Sequence, residues 1–168
     1  MEDHVFDLLV VGGGINGAGI AREAAMRGYR VALFEQHDFA FGTSSRSSRL
    51  IHGGLRYLEQ AEIGLVFESV SERARLADFG RHLVRPLPFI FPVYRGDRSL
   101  FLVNIGLWMY DALALFRNYR NHKQLTPGRV AGAIPGIRED DLVGGVRYYD
   151  YQTNDARLVL ENVIGARN

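Results

Sequence analysis

The 168-residue chain contains no cysteine, which excludes disulfide scaffolds, thiolate metal sites and cysteine nucleophiles. It also lacks an excess of charge of either sign: 20 Lys and Arg against 19 Asp and Glu leave a net charge of +1. Such a balance gives no basis for nonspecific binding to nucleic acid. The five histidines include no His-Glu-x-x-His or similar ligand spacing, so no metal is expected. Glu139-Asp140-Asp141, three adjacent acids, reads as a solvated loop. Long hydrophobic runs are missing as well. The longest apolar segment, residues 100–116, is interrupted by Asn104, Gly106 and Asp111 and falls short of a membrane-spanning helix. The first residues, Met1-Glu2-Asp3-His4, are acidic where a signal peptide is cationic. The expected location is cytoplasmic, or at most peripheral on the cytoplasmic membrane face. What remains is 47% hydrophobic and 23% charged, the balance of a folded chain with a core of its own.

Glycine is plentiful but unevenly spread. Residues 6–11 are a short apolar run that ends abruptly in Gly12-Gly13-Gly14, as a buried parallel strand does. A helix follows, with Ala18, Ala21 and Ala25 at helical spacing and Gly28 as its stop. Residues 30–35 are a second buried-strand candidate, completing one βαβ unit. Within it, Gly12-x-Gly14-x-x-Gly17 sits between strand and helix, the context that gives this motif meaning. Gly12 allows the tight turn, Gly14 lets a pyrophosphate approach the backbone, and Gly17 lets the helix pack close to the strand. The adjoining residues Ile15 and Asn16 then offer first-turn amides and the positive end of the helix dipole to the phosphates. Glu35 ends the second strand, where a carboxylate accepts hydrogen bonds from ribose hydroxyls and repels a 2′-phosphate. The motif by itself does not separate FAD from NAD.

Downstream, Ile63–Phe79 reads as an amphipathic helix closed by Gly80, with Val66, Phe67, Val70 and Ala74 on one face. Pro86, Pro88 and Pro92 bracket a strand expected near a sheet edge. Residues 99–117 look helical and mostly buried, and the aromatics Phe101, Trp108, Phe116 and Tyr119 are expected in a core; the alternative is that the apolar segment 100–116 is part of a surface that leans on lipid. Residues 146–151 form a further strand. A last helix starts at Asn154 or Asp155, with Leu158, Val159, Val163 and Ile164 at helical spacing, and is expected to run on to Asn168. One βαβ unit followed by scattered elements cannot complete a parallel sheet covered on both faces, so the sequence looks truncated.

Between these elements lies a segment of different character, rich in hydroxyls, glycine and arginine: Gly42-Thr43-Ser44-Ser45-Arg46-Ser47-Ser48-Arg49-Leu50-Ile51-His52-Gly53-Gly54-Leu55-Arg56-Tyr57-Leu58. A flexible linker is the plain alternative. Over these seventeen positions, however, the chain resembles the FAD-dependent, quinone-linked glycerol-3-phosphate dehydrogenases. These flavoenzymes belong to the glycine oxidase and D-amino acid oxidase superfamily. Asn154-Asp155-Ala156-Arg157-Leu158-Val159-Leu160 and Ile105-Gly106-Leu107-Trp108-Met109-Tyr110-Asp111 look like further landmarks of the same family.

The resemblance implies an α/β fold: a Rossmann-like FAD-binding domain of the glutathione reductase/D-amino acid oxidase type, incomplete, with the beginning of a substrate domain. Residues 1–80 would be the first part of the FAD-binding domain, 81–150 the start of the substrate or cap domain, and 151–168 a helix returning to the FAD domain. It also implies oxidation of glycerol 3-phosphate to dihydroxyacetone phosphate in glycerol metabolism. A hydride would go to FAD and electrons onward to quinone, with peripheral membrane association. Gly12, Gly14, Ile15, Asn16, Gly17 and Glu35 would hold the AMP half of FAD. Thr43, Ser44, Ser45, Ser47, Leu50, His52 and Gly53 would hold the flavin side, and Arg56 and Tyr57 would reach the substrate phosphate. For several of these a simpler role stays open. Arg56 could form a surface ion pair, Tyr57 could be a core aromatic, and His52 could bond the backbone rather than move protons. No catalytic residue is assigned: the resemblance implies that the main ones lie beyond Asn168, and the chain alone is expected to turn over little or nothing. The alternatives are a stand-alone FAD-binding module and another amine or amino-acid oxidase of the same fold.

Overall fold

A computed structural model describes residues 5–58, 60, 62–115 and 117–167, without the side chain of Arg56. In chain order the elements are β1 (Leu8–Val11), α1 (Ile15–Met26), β2 (Val31–Phe34), a 3-10 turn (Thr43–Ser45) and β3 (Leu50–Ile51). They continue with α2 (Leu55–Leu58), α3 (Ile63–Phe79), β4 (Arg85–Tyr94), α4 (Leu100–Leu113), β5 (Lys123–Leu125), α5 (Pro127–Ala133), β6 (Leu142–Gln152) and α6 (Asp155–Arg167). They fall into two compact units, one made of residues 1–50 and 153–168, the other of residues 51–152. This division differs from the functional domains drawn at 80 and 150, because residues 51–80 pack within the second unit. The helix expected within 151–168 is narrower than drawn. Residues 151 and 152 still belong to β6, α6 begins at Asp155 and ends at Arg167, and Asn168 lies outside the described residues.

The first unit is built on the expected βαβ. β1 and β2 pair in parallel, with Leu8 opposite Val31 and Val11 opposite Phe34. α1 is rich in alanine because its buried face must approach closely: Ala18, Ala21 and Ala24 are buried. Ala18, Ala40 and Val159 form a small core with Phe39, Ala156 and Val163 packed on it, so α6 lies on α1 as its second helix. Asn154 caps α6, its Oδ1 accepting from the Arg157 amide at 3.2 Å.

The second unit is organised by the long strand β6. β4 pairs with it antiparallel over ten residues, from Arg85 opposite Gln152 to Tyr94 opposite Leu142, and β5 pairs along residues 145–147. Pro86, Pro88 and Pro92 share one parity along β4, so their missing N–H groups all face away from β6. The sheet order β3-β6-β4 leaves β4 at an edge, where such prolines are tolerated. α3 buries Val66 and Val70 against Tyr110 and Ala114 of the neighbouring helix, each valine contributing about 1.5–3 kcal/mol. Beneath them lies a charged pair that the sequence did not announce. Arg73 is 2% exposed and its guanidinium bonds the buried Asp150 carboxylate on β6. Removing one partner of such a pair leaves a buried charge uncompensated and costs about 3–5 kcal/mol.

α4 overturns the expectation of a buried helix. Leu107, Tyr110 and Asp111 are buried, but Phe101 is 75% and Trp108 57% exposed, with Leu102, Ile105 and Met109 also at the surface. Tyr119 is exposed too, so the predicted aromatic core is corrected for these three; Phe116 lies outside the described residues. The physical reason is that apolar residues surround most of the helix, while only part of its surface packs on α2, α3 and β6. Among the described residues, no helix is long and apolar enough to cross a membrane.

Among the glycines, the one with least room for a side chain sits at the glycine-rich bend. A Cβ on Gly17 would stand 1.8 Å from the Gly12 carbonyl oxygen, and Gly12 itself has φ +107. Gly19, on the same helix, has nothing within 4 Å of the corresponding point. Gly17→Ala is therefore expected to lower stability by about 1–3 kcal/mol or more. Gly19→Ala should be neutral or raise it by up to about 1 kcal/mol. Paired thermal or denaturant melts of the two variants check this.

Candidate functional site: a glycine- and hydroxyl-lined cleft

The bend after β1 is held by backbone bonds on both sides. The Gly12 amide donates to Phe34 O at 2.8 Å, and the Ala40 amide donates to Gly13 O at 2.9 Å. Gly14 is the N-cap of α1 and provides no side-chain cap, so the first-turn amides of the helix face a space its own residues do not fill. Into that space comes the serine-bearing loop: Ser44 Oγ accepts a hydrogen bond from the Ile15 amide at 3.2 Å. A cleft of about 580 Å³ results, lined by Gly12, Gly14, Asn16, Thr43, Ser44 and Ser47, with Val11, Ile15, Gly17 and Asp155 completing it.

The structure thus brings the glycine motif and the first half of the hydroxyl-rich run together within one unit. The candidates are not all equivalent there. Ser45 turns into its own loop, its hydroxyl donating to Phe41 O at 3.0 Å and Gly42 O at 3.2 Å. Arg46 reaches the same Phe41 carbonyl at 2.9 Å and covers the Phe41 ring. Ser47 Oγ accepts from the Arg49 amide at 3.0 Å and donates to Asp155 Oδ2 at 2.6 Å. Leu50 is half-buried in β3.

His52, Gly53, Arg56 and Tyr57 belong to the second unit. His52 Nδ1 accepts from the Gly54 amide at 3.2 Å, the backbone role left open for it. The Arg56 backbone lies in α2, its side chain outside the described structure. Tyr57 is exposed rather than a core aromatic, its ring against Gly54. The second unit also carries an apolar groove of about 450 Å³, lined by Leu55, Leu58, Phe91, Leu102, Ile105 and Met109 among others. No group of acidic and histidine residues that could hold a metal occurs among the described residues.

Glu35 stands at the end of β2, where the ribose of a dinucleotide is expected. Its Oε2 accepts from the Gly13 amide at 2.7 Å and its Oε1 from the His37 amide at 3.0 Å. Each carboxylate oxygen keeps a second acceptor position for a hydroxyl. Asp155 is the residue the sequence reading missed in this site. In the sequence it stands at the start of the last helix and within a landmark of the family resemblance, with no cofactor role, and its partner Ser47 is 108 positions away in the chain.

A cleft at the head of a glycine-opened helix, with an acid ending the second strand, defines a dinucleotide-binding α/β unit. Residues 7–168 match the family described as FAD dependent oxidoreductase, and the chain belongs to that family. It is 44% identical over 162 residues to the aerobic glycerol-3-phosphate dehydrogenase of Staphylococcus haemolyticus, covering 96% of this chain and 29% of that protein. It is likewise 44% identical over 167 residues to the alpha-glycerophosphate oxidase of Streptococcus pneumoniae, covering 97% of this chain and 28% of that protein. The chain thus spans less than a third of the length of these relatives. Among solved structures, the glycerol-3-phosphate dehydrogenase of Bacillus halodurans complexed with FAD superposes with TM-score 0.68 at 32% identity, covering 99% of this chain and 25% of that one. The glycine oxidase of Bacillus cereus superposes with TM-score 0.66 over 97% of this chain and 45% of that one. At 21% identity this shows the shared fold alone.

The Gly13 amide, and after it the His37 amide, hold the Glu35 carboxyl below the usual carboxylate range. A carboxylate whose pKa is lower folded than unfolded stabilises the fold above the unfolded pKa. That contribution is lost as pH falls through the folded pKa. Glu35→Gln is therefore expected to melt lower than the parent chain above about pH 5, with the gap closing towards about pH 3. Melting temperatures across that range read it directly.

Proposed function

We propose that the cleft in the first unit binds the ADP half of FAD and that the protein carrying this chain oxidises glycerol 3-phosphate to dihydroxyacetone phosphate. The observation that carries the cofactor assignment is the hydrogen bond from the Ile15 amide to Ser44 Oγ, which puts the hydroxyl-rich loop at the head of α1. The donor set fits a dinucleotide diphosphate: backbone amides, short hydroxyls and a helix N-terminus, with the one lining carboxylate, Asp155, bonded to Ser47. Gly12, Gly14, Ile15, Asn16 and Gly17 take the phosphates in this reading. Glu35 accepts from the ribose. Thr43, Ser44, Ser45, Ser47 and Leu50 serve the ribityl and flavin side.

His52 and Gly53 are assigned to the flavin, and Arg56 and Tyr57 to the substrate phosphate, on the seventeen-residue run alone. No proton-moving group is assigned among the described residues, and the chain spans less than a third of the length of the relatives it matches. FAD, when bound, supplies a two-electron acceptor for the carbinol of the substrate. The substrate assignment rests on the same run and on the relatives, which are named for oxidation of glycerol 3-phosphate. Quinone is the proposed acceptor. The exposed apolar face of α4 supports peripheral contact with a membrane, where quinone resides.

Two measurements test the proposal. FAD is expected to bind with a shifted absorption band, and Ser44→Ala to weaken that binding about tenfold, the order of one lost hydrogen bond. Anaerobic glycerol 3-phosphate is expected to bleach the bound flavin of the protein carrying this chain, while glycine and D-amino acids leave it oxidised. Bleaching by amino acids instead would assign it to the oxidases, and turnover dependent on added NAD would overturn the flavin reading.

A further inference from the structure

Asp150 is the point on which the buried polar groups of the second unit converge. Its Oδ1 accepts from the Gly53 amide at 3.3 Å, from the Tyr110 hydroxyl at 3.1 Å and from the Arg73 guanidinium. Arg73 Nη1 also donates to the Tyr110 oxygen at 2.7 Å, and its Nη2 bonds Asn118 Oδ1. Asn118 passes the chain on to Asp111 at 2.6 Å, and Asp111 in turn holds His122 through both its ring and its amide. Charged groups are a costly way to glue a sheet to two helices, since apolar residues of similar volume do it as well or better. What an apolar pair cannot supply is an acceptor for a buried amide.

The amide in question belongs to a tightly confined bend. A Cβ on Gly53 would stand 2.1 Å from the Tyr110 hydroxyl and 2.4 Å from Val70, so the backbone is pressed against α3 and α4. The next residue, Gly54, has φ +70 and donates its amide to His52. The bend at residues 52–54 is held at the Gly54 amide by the His52 ring, at the Gly54 carbonyl by the Tyr57 amide at 2.8 Å, and at the buried Gly53 amide by the Asp150 carboxylate, with the Tyr110 oxygen beside it.

We infer that Asp150 is a positioning residue: with Arg73 as its buried counter-ion, it fixes the backbone at residues 52–54, the segment assigned above to the flavin. The inference rests on that reading for its functional consequence, while the anchoring itself is independent of any cofactor. Tyr110 reinforces the pin as a donor. Burial drives its phenol well above the usual tyrosine range, so it stays protonated at every working pH.

The test compares the unsubstituted protein with Arg73→Met/Asp150→Leu, which removes both charges, and with Asp150→Asn, which keeps an oxygen acceptor. Melting temperature, FAD dissociation constant and amide hydrogen exchange of residues 50–56 are read on each. The double variant, which strands no buried charge, is expected to lose less stability than Asp150→Asn, yet to exchange at Gly53 and Gly54 about tenfold faster and bind FAD about tenfold more weakly. Asp150→Asn is expected to melt lower while keeping exchange and FAD affinity within about threefold of the parent. Parental exchange and affinity in the double variant would overturn the inference by reducing the cluster to packing. Equal tenfold losses in Asp150→Asn would also overturn it, and that variant decides the case if the double variant does not fold. If no form of the protein binds FAD, the flavin reading fails, and hydrogen exchange still decides whether Asp150 pins the bend.

Discussion

Helix α1 can reach the end of strand β1 only because Gly17 has no side chain: the Gly12 carbonyl occupies the place where a Cβ would be. From this contact follow the short turn, the uncapped first turn of the helix and the direction in which its amides point. The same geometry sets the distance between α1 and the serine-bearing loop, which Ser44 spans with one hydrogen bond to Ile15. In the proposed reading, an anionic dinucleotide fills donors that the fold has already aligned. Preorganisation of that kind favours the ligand by sparing it the ordering of the loop.

Much of this was legible in the sequence because its causes are local. The apolar run before Gly12, the alanines of α1 and the acid at Glu35 each report a neighbour a few residues away or one turn along. α3 begins and ends where its apolar spacing predicts, at Ile63 and Phe79. The prolines of β4 name their own edge, since three of one parity can only face away from a partner strand. The hydroxyl-rich run was recognisable by resemblance, and the structure adds that its serines do different things. Ser44 turns to the helix, Ser45 back to its own turn, and Ser47 to Asp155.

What was not legible depends on distance along the chain or on what covers a surface. The Ser47–Asp155 bond joins residues 108 positions apart, and the Arg73–Asp150 pair joins residues 77 apart. Each partner alone reads as an ordinary surface polar or charged residue. α4 differs for the converse reason: apolar composition predicts burial, but burial requires a partner on every side, and Phe101 and Trp108 stay mostly exposed, Trp108 meeting His122 along one edge. Short elements such as β5 and α5 carry too few residues for any periodicity to register.

The central claim is that the amides at the head of α1 are a diphosphate site. Amide chemical shifts of the isotope-labelled chain, followed as ADP is added, address it without requiring flavin or turnover. The account predicts that residues 14–17 and Ser44 shift together, saturably and first. Shifts confined to another part of the chain, with these residues unmoved at saturation, would contradict it.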